Sequence, residues 1–325
     1  MGKKITSSKL FSLILIWVAL LIIFTVWPLA LGKSPIITKL VDVVDLMIVT
    51  SFLAVGAGFL MVSGNIDLAA AAIGAFGCVC SACLIAYYNV PALLAFLIAL
   101  VACAIFGILN AVLVNEFNCP AFIATMAMSY VAKGCMQWVS VDPETGNPGS
   151  VYVYNDICKY LANGKILGLP ATFIIALIVF IIYGIVLSKT VFGMKMYLVG
   201  GNPTAAHLAG INPKKFTYFL FANSGFLAGV AGIIYMGRAS QGDLNALSLN
   251  QFTGMTAAIL GGVSFGGGNG NIAGVFVGLM ILNTFNKGML LAGASTYWTT
   301  VLTGVLLIVA LIIDNIQTAH NRKSV

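Results

Sequence analysis

The sequence predicts an all-α polytopic membrane protein with about ten transmembrane helices and interrupted or re-entrant segments. Three observations predict it. Of 325 residues, 60% are hydrophobic and 8% charged, with a mean hydropathy of +1.04. So few charges cannot cover the apolar surface of a water-soluble domain. The apolar residues gather in runs, most of them near the roughly 20 residues that a helix needs to cross a bilayer. Between some of these runs lie glycine-rich breaks rather than soluble linkers.

The runs in chain order are 10–31, 43–62, 68–88, 91–114, 121–141, 170–187, 216–237, 251–263, 271–291 and 298–314. MGKK ahead of the first resembles a signal peptide, but its apolar run exceeds the roughly 7 to 15 residues of a signal core, so it reads as a retained helix. The run 251–263 is the short one. Residues 142–169, with Asp142, Pro143, Gly146, Pro148 and Gly149, are soluble in character and form the main loop between runs, too small for a binding domain. Residues 188–215 form a second, basic connection. The whole of 1–325 reads as one transmembrane domain.

An even number of spans puts both termini on one side. Placing them inside leaves nine basic residues in the cytoplasm (Lys3, Lys4, Lys9, Lys189, Lys195, Lys214, Lys215, Arg322 and Lys323) against five outside (Lys33, Lys39, Lys159, Lys165 and Arg238). The positive-inside rule therefore makes both termini and 188–215 cytoplasmic and 142–169 extracytoplasmic. The net charge of +7 is accounted for by these flanks: no basic patch interleaved with aromatic residues exists, so membrane lipid and not nucleic acid is the partner it implies.

Helices in lipid associate through small residues, and Gly225-x-x-x-Gly229 and Gly274-x-x-x-Gly278 supply faces for close approach. The helical pattern breaks at Ser63-Gly64-Asn65-Ile66-Asp67 and again at GGVSFGGGNGN, residues 261–271. Irregular backbone at membrane depth must be buried in protein or line a wet cavity, and in transporters such breaks flank the solute path. A faint repeat accompanies them: Gly107-Ile108-Leu109-Asn110 early and Met280-Ile281-Leu282-Asn283 late.

Several chemistries are excluded. Seven cysteines, five of them in apolar runs (Cys78, Cys80, Cys83, Cys103, Cys135), behave as small hydrophobic residues and give no disulfide framework. With His207 and His320 as the two histidines, a zinc site has no ligand set, and no metal site is expected. No G-x-x-x-x-G-K-[ST] phosphate loop occurs, so this chain binds no cofactor of its own and cannot hydrolyse ATP by that device. Gly262-Val263-Ser264-Phe265-Gly266 fits the nucleophile-elbow pattern, but no strand pattern precedes it and no histidine–acid pair is placed to serve Ser264.

Ionisable and amide side chains inside runs are candidates for a translocation path: Asn65, Asp67, Asn110, Lys133, Gln137 and Asn283. Each has a structural reading beside it. Lys133 fits either snorkelling toward Asp142 or a place on the path. Asp67 starts the third run, where a carboxylate suits a helix N-terminus. The amides, with Asn223 and Asn286, suit a hydroxyl-rich solute and equally suit hydrogen bonds between helices. Lys287, near an outer end, reads as a snorkelling lysine.

Residues 197–215, YLVGGNPTAAHLAGINPKK, hold a compact helix motif between two apolar runs. Asn202 can cap, Pro203 suits the first helical position, Gly210 suits the left-handed residue after the last turn, and Pro213 blocks continuation. A short helix over 203–209 follows. So short a helix is marginal alone in water, so it must be held by packing, either as a docking element for another protein or as an ordinary structured loop.

The ordered set Ser63-Gly64-Asn65-Ile66-Asp67-Leu68, Gly107-Ile108-Leu109-Asn110, Pro120-Ala121-Phe122-Ile123-Ala124-Thr125, Gly200-Gly201-Asn202-Pro203-Thr204-Ala205-Ala206, Gly210-Ile211, Ser224-Gly225 and Leu260-Gly261-Gly262 resembles the ribose-type permease subunits of ABC importers. The resemblance runs over about 55–314. It implies a dimer of permeases (a second copy or a paralogue), cytoplasmic ATP-binding subunits that use the ATP, and an extracytoplasmic sugar-binding protein, in the cytoplasmic (inner) membrane of a prokaryote. It also implies that Gly201, Asn202, Pro203, Ala205, Ala206, Leu208 and Gly210 form the coupling helix that sits on the ATPase. The chain departs from the pattern at Gln251 and Thr253, where the family commonly carries an acidic pair, and in the extra Asn of Gly64-Asn65-Ile66-Asp67-Leu68. The resulting expectation is a permease subunit that passes a monosaccharide. An ion-gradient-driven carrier using Asp67, Glu116 and Lys133 is the alternative, and a membrane enzyme using Ser264 a further one.

Overall fold

A chain of apolar runs surrounded by lipid can satisfy its backbone N–H and C=O groups only within each segment, which selects helices. The structure, a computed structural model, describes residues 2–166 and 168–323. The side chains of Lys3, Lys4, Lys9, Arg322, Lys323 and His320 lie outside what is described. Helices follow in the order α1 (Gly2–Ala30), α2 (Leu40–Val62), α3 (Ala70–Ala86), α4 (Ala92–Asn115), α5 (Ala121–Val139), α6 (Asp156–Asn163), α7 (Ala171–Lys189), α8 (Val191–Gly201), α9 (Pro203–Leu208), α10 (Pro213–Ala239), α11 (Thr253–Leu260), α12 (Ile272–Ala292) and α13 (Thr296–Lys323).

Among the described residues, six helices are long and apolar enough to cross a bilayer: Leu10–Ala30, Ile36–Val62, Ala92–Asn115, Ala171–Lys189, Pro213–Ala239 and Ile272–Ala292. Ala70–Ala86 and Tyr297–Ile312 are shorter apolar helices. The chain is a multi-pass, all-α membrane protein. The short run at 251–263 forms only the eight residues of α11, about 12 Å at 1.5 Å per residue and too short to span. Both expected breaks are present: 63–69 separate α2 from α3, and 261–271 separate α11 from α12.

The helices fall into two compact units, each with its own seam of small residues. The first comprises residues 1–64, 180–201 and 253–325. Within it α2, α11 and α12 pack together, and α1 lies along α12. A side chain on Gly274 would collide with the carbonyl of Gly261, and one on Gly278 with that of Ala257. The Gly274-x-x-x-Gly278 face thus brings two backbones into contact. Trp17 on α1 donates its indole N–H to Thr284 Oγ1 on α12 at 3.0 Å.

The second unit comprises residues 65–179 and 202–252. Here α10 is the central helix, packed on α3, α4 and α6. Gly225 meets the carbonyl of Cys103, Gly107 meets that of Phe221, and Gly232 meets that of Gly74, so a methyl at any of them would strike backbone. Cys103 fills the gap beside Gly77 and Gly229 as a buried thiol. The 142–169 loop folds against this unit. Val151–Tyr152 (β1) pairs antiparallel with Gln241–Gly242 (β4), and α6 rests on α10 through Leu161 over Gly237. Lys165–Ile166 (β2) and Leu169–Pro170 (β3) close a small hairpin.

Candidate functional site

The motif at 197–215 builds a helix that needs nothing from elsewhere to close its ends. Asn202 is extended and its Oδ1 accepts the N–H of Ala205 at 3.0 Å, leaving Pro203 at the first helical position. At the other end Gly210 takes φ +80°, a conformation a side chain would resist. Ile211 N–H then reaches Ala206 O, and Gly210 N–H reaches His207 O, both at 3.0 Å, which is the Schellman arrangement. Asn212 caps α10 in turn, accepting the N–H of Lys215.

This geometry divides α9 into two faces. Ala206 is 4% exposed, whereas Leu208 is 83% exposed. Gly201, Asn202, Pro203, Ala205 and Gly210 are also exposed. A substitution at Ala206 therefore tests the seat of the helix, and one at Leu208 tests its outer face.

Behind α9, the end of α4 holds the first turn of α10. The Glu116 carboxylate accepts from Lys214 Nζ at 2.9 Å and from Tyr218 OH at 3.2 Å, while Asn115 Nδ2 donates to Lys214 O at 3.1 Å. The Lys214 ammonium holds the Glu116 carboxyl below its usual range. Glu116 therefore sits in a surface clamp.

The path candidates separate by environment. Asp67 is half-buried in the break before α3. Its Oδ1 accepts the N–H of Ala69 at 2.8 Å and its Oδ2 accepts the hydroxyl of Ser224 on α10 at 2.7 Å. Beside it, Leu68 N–H donates to Thr125 Oγ1 on α5 at 3.1 Å. Asn110 is fully buried in α4, and neither its Nδ2 nor its Oδ1 has a hydrogen-bond partner. Asn283 is buried and bonds back to Leu279 O within α12. Asn65 is half-exposed at the first break.

Lys133 and Gln137 differ from these: both are exposed on α5. This helix buries Ala124, Thr125, Met128, Ala132 and Met136 and turns Tyr130 (70% exposed) and Trp138 (77% exposed) outward with Lys133 and Gln137. Lys133 Nζ lies 5.9 Å from the centroid of the Tyr130 ring, a cation–π distance. Asp142, the acceptor expected for it, instead takes the N–H of Glu144. Lys287 also departs from simple snorkelling, since its Nζ pairs with Asp42 Oδ2 at 2.8 Å. Ser264 is buried in the turn after α11, its N–H bonded to Asn269 O, and lacks the preceding strand that a nucleophile elbow requires.

Sequence reasoning missed α8, although Thr190, whose Oγ1 accepts the N–H of Gly193, is the cap that could have announced it. It also missed Ser224 as the partner of Asp67, for which no local signal exists.

A family profile described as branched-chain amino acid transport system / permease component matches residues 40–311. The chain belongs to this permease family. The permease is 31% identical to the ribose import permease protein of Escherichia coli (strain K12) over 86% of each chain. It is 30% identical to the fructose import permease protein of Bifidobacterium longum (strain NCC 2705) over 99% of its own length and 93% of the relative's. It is likewise 30% identical to the L-arabinose ABC transporter permease protein of Azospirillum brasilense, over 83% and 78%. No solved structure matches the permease at a significant level. These relatives favour the permease-subunit reading over an ion-gradient-driven carrier.

Proposed function

We propose that this permease is the membrane-spanning subunit of an ATP-binding-cassette importer and that its solute is a monosaccharide. In this reading an extracytoplasmic binding protein delivers the sugar, a separate cytoplasmic subunit binds and hydrolyses the ATP, and the permease works as a dimer with a second copy or a paralogue. It lies in the cytoplasmic membrane of a prokaryote with both termini inside, so that 188–215 is the coupling loop and 142–169 the main extracytoplasmic loop. The ribose, fructose and arabinose permeases among its relatives support the sugar.

The observation that carries the proposal is α9: a helix closed at both ends by its own residues, one face seated and the other offering the bare side chain of Leu208. An 83% exposed leucine on a mount closed by its own caps suits a hydrophobic cleft on a partner, and the partner whose energy an importer needs is the ATPase. We assign solute contact to the exposed face of α5. Tyr130 and Trp138 give flat surfaces for the C–H face of a sugar, and Gln137 and Lys133 give hydrogen bonds for its hydroxyls. No acidic residue occurs in α5, so this face lacks the carboxylate that an amino-acid ammonium would call for. Asn65 and Asp67, in the break that belongs to the same unit as α5, extend the assignment.

The test is purification of the tagged chain from its native membrane in mild detergent. An ATPase subunit recovered in stoichiometric amount, and lost on Leu208→Glu while the permease stays folded, is the expected result. Repeated recovery of the intact chain alone, with sugar uptake by the chain alone in liposomes, would replace the proposal with a gradient-driven carrier.

A further inference from the structure

Within the first unit, the end of α2 at 62–64, where the first break begins, and the break at 261–271 both meet the end of α8 through backbone. Gly268 N–H donates to Val62 O, the last carbonyl of α2, at 2.8 Å. A Cβ built on Gly267 would lie 2.7 Å from Gly64 Cα and 2.8 Å from Gly200 O, and one built on Gly268 would lie 2.7 Å from Gly201 Cα. Gly267 and Gly268 adopt φ of +78° and +71°, so a side chain is excluded there by conformation as well as by space. Residues 62–64, 200–201 and 267–268 are thus three backbones in direct contact.

One side chain secures the arrangement. The hydroxyl of Tyr197, one turn before the end of α8, donates to Gly270 O at 2.6 Å. Contact between backbones has no rotamers with which to absorb a displacement, so moving one of the three segments moves the others or breaks the contact. Gly201 is bonded directly to Asn202, the cap of α9. A pull on α9 therefore reaches Gly200 and Gly201 along the chain itself, and from there both breaks.

We propose that Tyr197, with the glycine contact it secures, is the link that carries displacement of α9 into the two helix breaks, which makes it a positioning residue for transport. The proposal rests on the coupling-helix reading of α9. In proteoliposomes holding the complete transporter, Tyr197→Phe removes one hydroxyl and leaves the ring. The expected result is unchanged recovery of the ATPase and a rise of about five-fold in ATP hydrolysed per sugar imported, the factor set by one neutral hydrogen bond. A purely structural role would lower the amount of folded transporter and scale both rates together, and that constant ratio would overturn the link. In the wild-type transporter, hydrogen exchange on adding ATP should change together at α9, at 62–64 and at 261–271. A change confined to α9 would overturn the link as well. The Leu208→Glu variant run in parallel separates the two levels: if it keeps its ATPase, the coupling-helix reading itself has failed, whereas if it loses the ATPase while Tyr197→Phe keeps a normal ratio, the link alone has failed.

Discussion

The Asp67 carboxylate accepts the hydroxyl hydrogen bond of Ser224 at 2.7 Å across 157 residues of sequence. The bond ties the irregular segment before α3 to the middle of α10, while the other carboxylate oxygen takes the N–H of Ala69 at the start of α3. One side chain therefore fixes both where α3 begins and which stretch of α10 it faces. Ser224→Ala should cost about 1–2 kcal/mol, because a carboxylate oxygen loses its donor. Thermal unfolding in detergent would read this as a lowered Tm, with Ser224→Thr restoring most of it.

Gly107 and Gly225 lie where α4 and α10 touch backbone to backbone. Gly107→Ala or Gly225→Ala should destabilise by about 1–3 kcal/mol, since the helices must separate to admit a methyl. Gly134→Ala on α5 is the control: nothing lies near a Cβ there, so it should be neutral or stabilise by up to about 1 kcal/mol through helix propensity. Equal behaviour of the three variants in a Tm series would contradict the seam.

Asn202→Ala removes the oxygen that caps α9 and should weaken that helix by about 1 kcal/mol, with Asn202→Asp retaining the cap. Hydrogen exchange of the Ala205 and Ala206 amides should speed up in the first variant and not in the second, with no change in α10, whose own cap is Asn212.

Glu116 titrates below its ordinary value of 4.5 because Lys214 bonds its carboxylate, with Tyr218 adding a second donor. A lowered folded-state pKa stabilises the fold above the ordinary value and loses that contribution as pH falls through the lowered one. The clamp on the first turn of α10 should therefore be intact throughout the neutral range and open only on acidification below 4.5. A carbon-13 titration of Glu116 with its midpoint at or above 4.5 would contradict the bond to Lys214.

Much of α9 is legible in the sequence, because capping depends on residues within one helical turn. Asn202, Pro203, Gly210 and Pro213 each act on their immediate neighbours, and their order alone specifies a start and a stop. The two breaks were legible for the same reason, in their glycine content. What was not legible is which face of α9 points outward: Ala206 and Leu208 are two residues apart and both apolar, and only packing turns the first inward. The path candidates had the same difficulty. Lys133 and Gln137 stand four residues apart and share a face with Tyr130, but in lipid a polar face can turn toward a path or toward another helix, and local spacing does not separate the two.

The sequence by itself determined that the chain lives in a membrane, where most of its apolar helices run, and where the helical pattern must fail. Those properties follow from the hydrophobic effect and from local backbone satisfaction, both of which act within one segment. Tertiary structure alone decided that Asp67 meets Ser224, that Lys287 meets Asp42, and that Gly268 rests on Val62 beneath a bond from Tyr197 to Gly270. Inside lipid all apolar faces are alike, so partners are selected by how closely two backbones can approach and by which polar groups then come within hydrogen-bond reach. Both depend on helix crossings that no single run encodes.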